Sequence, residues 1–255
     1  MSTAFVTGAT AGIGLSFAHQ LAERGHDIVL VARDRARLEN VSDELQAKYG
    51  VATEILVADL SDRADTGKAA ERLADRARPV DLLVNNAGYS LKKRFLDNDI
   101  SQEEAVFDVL CRAVLVLSHA AAKSMRERGH GAILNVSSVA SFITSGTYSA
   151  EKSFVTVFTE GLSNELAGSG VTATALCPGF TRTEFHERAG LNMSRLPDFL
   201  WLDSNRLVRD CLDDVAKGKV VSVPGPQYKA IVAALRVIPR SLVRKRARTV
   251  HRPQG

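Results

Sequence analysis

The chain is poor in the residues that build metal sites and disulfide frameworks. Its three cysteines, Cys111, Cys177 and Cys211, are far apart and odd in number. That spacing excludes a Cys-based metal cluster and reads as buried or free thiols. The six histidines form no HExxH or similar ligand pattern, so no metal is expected. No run reaches the roughly 20 apolar residues that a membrane-spanning helix needs. An apolar strand begins at about Thr3 and enters a glycine-rich turn at Gly8. A removable leader would destroy that unit, so the expected location is cytoplasmic.

Acid is missing from one end of the chain. From Tyr228 to Gly255 there are Lys229, Arg236, Arg240, Arg244, Lys245, Arg246, Arg248 and Arg252, with no Asp or Glu. The chain carries +4 overall, so the remainder carries −4. The basic character belongs to the tail and is no sign of a nucleic-acid-binding core. No aromatic interleaving accompanies it, and no nucleic acid is expected as a partner.

What is present is a large core. The chain has 255 residues, of which 45% are hydrophobic, enough for one sizeable domain. Strands rich in Val, Ile and Leu are predicted at 4–7, 27–32, 53–58, 81–84, 132–137, 172–177 and 220–223. Helical periodicity lies between them, near 12–24, 34–48, 62–77, 102–128, 149–167 and 204–217. This alternation predicts an α/β fold with a doubly wound parallel sheet of about seven strands and helices on both faces. Ligands of such sheets bind beyond the carboxyl ends of the strands. The expected division is one domain over 1–226, with a substrate lid at 180–205, and a basic amphipathic extension over 227–255. The apolar stripes of helices 102–128 and 149–167 are wider than one sheet contact needs. They read either as deep burial or as a subunit interface.

Thr7-Gly-Ala-Thr-Ala-Gly-Ile-Gly14 lies between the first strand and the first helix. Gly8, Gly12 and Gly14 permit a tight turn and close approach of a pyrophosphate to a helix N-terminus. The second strand ends at Ala32, followed by Arg33 and Asp34. A guanidinium there suits a 2′-phosphate and points to NADP(H) over NAD(H). Asp34 is the argument for the other cofactor.

Further along stand Asn85-Asn86-Ala87-Gly88, Tyr148-Ser-Ala-Glu-Lys152, and Pro178-Gly179 followed by Thr183. With the glycine turn, these four features resemble the short-chain dehydrogenases/reductases of the classical type, in the same order and approximate spacing. The resemblance covers about residues 3–225. It implies an NAD(P)-dependent oxidoreductase interconverting ketones or aldehydes and alcohols. It also implies a homodimer or homotetramer. Thr7, Gly8, Thr10, Gly12, Ile13 and Gly14 would form the phosphate turn. Arg33, Asp59 and Leu60 would meet the adenosine half. Asn86, Ala87 and Gly88 would line the cleft. Lys152 would hold the nicotinamide ribose, with Pro178, Gly179, Thr181 and Thr183 nearby. Ser138 would orient the substrate oxygen and Tyr148 would exchange its proton.

The chemistry of that trio stands without the resemblance. A lysine at i+4 faces the tyrosine across one helical turn. Its charge, with that of an oxidised nicotinamide, is expected to lower the phenol pKa. Ser137 and Ser138 are adjacent, and strand alternation lets only one face the cleft. One departure stands out. The family carries an asparagine that helps hold a water linking the lysine to solvent, and the register places Leu110 there. Leucine has no polar atom for that task. This supports the alternative of a cofactor-binding regulator or scaffold with weakened catalysis.

Two segments bear on the substrate. Phe199, Leu200, Trp201 and Leu202 either cover an apolar substrate or merely dock the lid. Arg182, His186 and Arg188 are candidates for an anionic group. In the tail, Ile231, Val232, Leu235, Val237, Ile238 and Leu242 alternate with cations. That pattern reads as a docked terminal helix or as weak contact with an anionic membrane surface.

Overall fold

The structure is a computed structural model that describes residues 2–185 and 196–244. The strands are β1 (Thr3–Thr7), β2 (Asp27–Ala32), β3 (Thr53–Val57), β4 (Leu82–Asn85), β5 (Gly131–Val136), β6 (Val171–Leu176) and β7 (Val221–Ser222). All pair in parallel, in the order β3-β2-β1-β4-β5-β6-β7. The order reverses between β1 and β4, so the crevice of a doubly wound sheet opens beyond the ends of these two strands. His186 and Arg188 fall outside the described residues, as do the tail cations Lys245, Arg246, Arg248 and Arg252.

The helices are α1 (Gly12–Glu23), α2 (Arg35–Tyr49), α3 (Arg63–Ala74), α4 (Ile100–Phe107), α5 (Ala113–Arg128), α6 (Gly146–Glu165), α7 (Ser204–Ala216) and α8 (Pro226–Val237). Strand alternation sends neighbouring residues into two separate cores. Val6, Leu30, Val84 and Leu134 pack with Phe17, Leu21, Leu207 and Leu212 on one face. Phe5, Val29, Leu83 and Ile133 pack with Leu73, Val109, Leu117 and Met125 on the other. Both faces of β1, β2, β4 and β5 are therefore dry, which is why these strands read as continuous apolar runs.

Three sequence expectations change. The helix at 102–128 begins at Ile100 and is interrupted by a π-helical turn at Asp108–Arg112. The helix expected from 149 begins at Gly146, so Tyr148 lies in its first turn. By length and composition, the run Ile100–Arg128 is apolar enough to cross a membrane, contrary to expectation. Half of its most apolar window is buried inside the protein, against the sheet and its neighbours.

One buried polar network crosses the dry interior with its members paired. Asn85 Nδ2 donates to Asn135 Oδ1 (2.9 Å) and Ser118 Oγ (3.1 Å). Asn135 Nδ2 donates to Thr159 Oγ1 (3.0 Å). This network ties β4 and β5 to α5 and α6, the helix that carries Tyr148 and Lys152. Asn135→Ala removes a hydrogen bond from each of the buried Asn85, Ser118 and Thr159 side chains, on three elements. It is expected to lower the unfolding free energy by about 2 kcal/mol in urea denaturation. A loss below about 0.5 kcal/mol would remove the network from the account.

Candidate active site

One cleft of about 990 Å³ opens at the carboxyl edge of the sheet and takes in most of the expected residues. At its phosphate end, the glycines are required by space. A Cβ at Gly14 would sit 2.2 Å from the Gly8 carbonyl oxygen, and one at Gly8 would sit 2.9 Å from Asn86 Nδ2. Gly8 and Gly12 also adopt positive φ. Helices α2, α3 and α7 are capped by Asp34, Asp62 and Asp203. Helix α1 follows Ala11, which offers no capping side chain, so its first amides face the cleft without a protein side-chain acceptor. Thr10, Gly12 and Ile13 line the cleft there, while Thr7 and Gly14 do not. Thr7 serves behind it: its hydroxyl accepts from Asn86 N (2.9 Å) and Ala87 N (3.0 Å). Asn86 Nδ2 donates back to the Thr7 carbonyl (2.9 Å).

At the tip of β2, Arg33 is largely exposed and lies 3.8 Å from the Asp59 carboxylate. Asp59 accepts from Ser61 N and Oγ, and Leu60 lines the cleft beside it. The Asp34 carboxylate caps α2 by accepting from Arg37 N (3.1 Å). Arg37 lines the cleft and lies 3.7 Å from Asp34 and 3.6 Å from Glu184. Sequence reasoning missed it. The available signal was the cap itself, which turns residue 37 back over residue 33.

At the opposite end, Ser137 and Ser138 part as alternation requires. Ser137 Oγ donates to the Lys152 carbonyl (2.8 Å) and pairs with Thr156 Oγ1 (2.7 Å), locking α6 onto the end of β5. Ser138 lies in the cleft lining, its hydroxyl accepting from Ala140 N (3.1 Å) and interacting with the Tyr148 phenol. Lys152 is buried and donates from Nζ to the Val136 carbonyl (2.7 Å), with Nζ 5.7 Å from the Tyr148 ring centroid. Gly88 and Ala87 form the wall between the two ends. Pro178, Gly179, Thr181 and Thr183 close the cleft over the sheet edge.

The electrostatics differ from the sequence expectation. Burial pushes the Tyr148 phenol up to about 12, with the Ser138 hydrogen bond acting against it. Burial pulls Lys152 down to about 8, with Cys111 and Glu151 opposing. Loss of solvent therefore outweighs the Ser138 hydrogen bond at the phenol. The protein's own groups hold Tyr148 protonated.

Leu110 is buried in the π-turn and packs with Val106, Cys111 and Tyr148. A Cβ on Gly88 would meet Leu110 Cδ2 at 2.7 Å and Lys152 Nζ at 3.9 Å, so Leu110 and Lys152 converge above Gly88. A turn closed by i→i+5 bonds withdraws main-chain groups from the regular ladder. Main chain is thus the polar material at the position where the side chain offers none.

The substrate half draws on Leu200 of the expected apolar cluster and on residues that the sequence did not assign to it. Ile143, Phe185, Leu200, Tyr228, Ile231 and Leu235 give it an apolar lining. The Tyr228 ring lies against Gly179, where a Cβ would come within 2.0 Å. Its hydroxyl donates to the Leu200 carbonyl (2.6 Å) and accepts from Phe180 N (3.0 Å). Phe180 and Leu200, at either side of the segment expected to be a lid, are thus both tied to α8. Trp201 packs on Phe180, with Arg182 over its ring and bonded to Asp198 (2.8 Å). Phe199, by contrast, is 70% exposed. Arg182 is thus held by Asp198 and Trp201.

Glu151, beside Lys152, is buried, and its Oε2 has no hydrogen-bond partner. Burial pushes its carboxyl up to about 7, with Glu103 adding to the rise and Lys152 opposing it. Between about pH 4.5 and 7 the folded chain keeps a proton here that the unfolded chain releases. Stability from this group is therefore present at low pH and lost as pH rises through that window. Relative to the unchanged protein, Glu151→Gln is expected to melt higher at about pH 8 and level with it near pH 4.5. Equal melting temperatures at both values would contradict the assignment.

The sequence matches the family described as short chain dehydrogenase over residues 2–193. It is 34% identical over 194 residues to a very-long-chain 3-oxoacyl-CoA reductase of Anas platyrhynchos, covering 71% of this chain and 60% of that protein. Among solved structures, it is similar to a short-chain dehydrogenase from Sphingobium yanoikuyae in complex with NADPH. That likeness has a TM-score of 0.86 and 33% identity, and it covers 100% of this chain and 98% of the other. A bulky-bulky ketone specific alcohol dehydrogenase from Comamonas testosteroni follows at TM-score 0.80 and 28% identity, covering 94% and 96%. With its seven-stranded parallel sheet and glycine-lined cleft, this chain belongs to the short-chain dehydrogenase/reductase family of oxidoreductases.

Proposed function

We propose that the chain is an NADPH-dependent reductase of lipophilic ketones or aldehydes, able to run the reverse oxidation of the alcohol. The observation that carries this reading is the convergence of Ser138, Tyr148 and Lys152 on one cleft whose other end is framed by Arg33 and Arg37. The NADPH complex of the Sphingobium protein supports the cofactor, and the Comamonas and Anas proteins support the substrate class by their names.

The residues fit such a cofactor. The side-chain-free surface at Gly8 and Gly12 and the open amides of α1 would take the pyrophosphate, with Thr10 and Ile13 beside them. Arg33 and Arg37 would take the 2′-phosphate. Asp34, occupied as a helix cap, is a weak competitor for ribose hydroxyls. Asp59 and Leu60 would flank the adenine, Lys152 the second ribose, and Thr181 and Thr183 the nicotinamide side. When bound, the nicotinamide supplies the hydride.

Tyr148 donates its proton to the carbonyl oxygen as negative charge grows there, and Ser138 hydrogen-bonds the same oxygen. A phenol held near 12 is a proton donor at neutral pH, which favours reduction. Lys152, near 8, is mostly cationic at neutral pH and stabilises the phenolate left behind. The apolar wall of Ile143, Leu200, Ile231 and Leu235 selects a lipophilic substrate and keeps water from the reacting carbon.

The same reading takes residues 1–226 as one domain with a lid at 180–205, and 227–255 as an extension whose first helix returns to the cleft. It also takes the protein as a cytoplasmic homodimer or homotetramer. Phe107, Leu115, Phe154 and Val157 are exposed on α4, α5 and α6 and supply an apolar contact face. Leu110 favours a second reading, a cofactor-binding regulator with little turnover, because no side chain there relays a proton from Lys152.

Two experiments test the proposal. Tyr148→Phe is expected to lower ketone reduction by about a thousandfold while NADPH affinity and fold persist. Undiminished turnover would sink the mechanism, and NADPH binding by the unchanged protein without turnover on any ketone would promote the second reading. Arg33→Ala and Arg37→Ala are each expected to weaken NADPH binding by about tenfold or more in calorimetry, with NADH affinity little changed. Equal losses for both cofactors would contradict the 2′-phosphate assignment.

A further inference from the structure

Helix α8 has two kinds of surface. One face carries Tyr228, Ile231 and Leu235 into the cleft, with Val232 buried beside them. At its far end, Val237 is 81% exposed and Leu242, just beyond, is 52% exposed. Its first turn meets the lid, where Gln227 Nε2 donates to the carbonyl of Phe199 (3.1 Å). The exposed Phe199 ring therefore belongs to the same rim as α8. Large apolar side chains left in water around the mouth of an apolar cleft call for a covering.

The charge on this rim says what covers it. Lys229, Arg236, Arg240 and Arg244 are all exposed, and no acidic residue occurs from Pro226 onward. Arg236 sits over the Phe142 ring (5.4 Å), beside the turn that follows Ser138, so the cations reach the active-site mouth. The chain before Tyr228 carries −4, against eight cations after it. A negatively charged surface would draw the rim toward it and turn the acidic body away. Apolar side chains flanked by exposed cations are what an interfacial helix on anionic lipid requires.

We propose that α8 and the stretch from Ile238 to Arg244 seat the protein on an anionic lipid bilayer, with the substrate side of the cleft facing the membrane. The delivery of substrate rests on the lipophilic reading under Proposed function; the docking itself does not. Because Ile231 and Leu235 line the cleft from the docked helix, a ketone dissolved in the bilayer enters without crossing bulk water.

The test is co-sedimentation of the full chain with vesicles of phosphatidylcholine, alone and mixed with phosphatidylglycerol. Binding to the mixed vesicles, weakened by salt and far weaker on phosphatidylcholine alone, is expected. Each cation near an anionic surface is worth about fivefold in partitioning, so Arg236→Gln, Arg240→Gln and Arg244→Gln together are expected to lose about a hundredfold. Val237→Ser with Leu242→Ser is expected to weaken binding at every salt concentration. These variants leave the cleft lining intact, and unchanged NADPH affinity certifies their fold. Absence of binding to mixed vesicles overturns the proposal, as does equal binding to both vesicle types or undiminished binding by the triple variant. Self-association through the rim, in place of vesicle binding, would overturn it in favour of a second copy as the partner. Reduction of a water-soluble ketone is measured on the same samples. Activity without vesicle binding overturns only the docking, and vesicle binding without activity overturns only the reductase reading.

Discussion

The site depends on the clasp between the ends of β1 and β4. The Thr7 hydroxyl accepts from two amides just beyond β4, those of Asn86 and Ala87, and Asn86 returns a bond to the Thr7 carbonyl. The clasp sits at the point where the strand order reverses. It holds the glycine turn over the crevice and forces residues 8 and 14 to lack side chains, since Asn86 and the Gly8 carbonyl fill that space. Neither Thr7 nor Gly14 reaches the cleft, yet both determine that a cleft exists. The expectation that all residues of the glycine turn face a ligand mixed two duties, contact and support.

A second tie places the chemistry. Ser137 bonds α6 at the Lys152 carbonyl, and the Asn85–Asn135–Thr159 network holds the same helix further along. Tyr148 and Lys152 are thereby fixed in a poorly solvated corner. Burial is the main cause that moves their pKa values apart, Tyr148 up to about 12 and Lys152 down to about 8. Both shifts keep the phenol protonated, the state that suits a proton donor. The sequence argument weighed only the attraction between the two groups, because desolvation is invisible until the helix is seated.

The fold was legible where physics leaves a long signal. Continuous apolar strands alternating with helices predict the parallel sheet, and strand alternation sends Phe5 and Leu83 into one core and Val6 and Val84 into the other. The π-turn at Asp108–Arg112 was not legible, because one extra residue in a helix leaves the hydrophobic stripe almost unchanged. Helix α6 starts before its apolar stripe does, which hid the position of Tyr148 in the first turn. Residues that reach the cleft from a distance were hidden as well. Arg37 arrives through the Asp34 cap, and Tyr228 reaches the lid across 48 positions of chain. That Tyr148 and Lys152 face one another was legible because i, i+4 spacing carries that geometry within itself, whereas Ser138 was named through the family resemblance.

The central claim is that this cleft brings a nicotinamide and a carbonyl together for hydride transfer. The direct measurement is the fate of deuterium from NADPH labelled at the transferable nicotinamide position, with a lipophilic ketone as acceptor. The account predicts one deuterium on the carbinol carbon of the alcohol product, and none there when the solvent alone is labelled. Label arriving from the solvent, or alcohol formed without label, would contradict it.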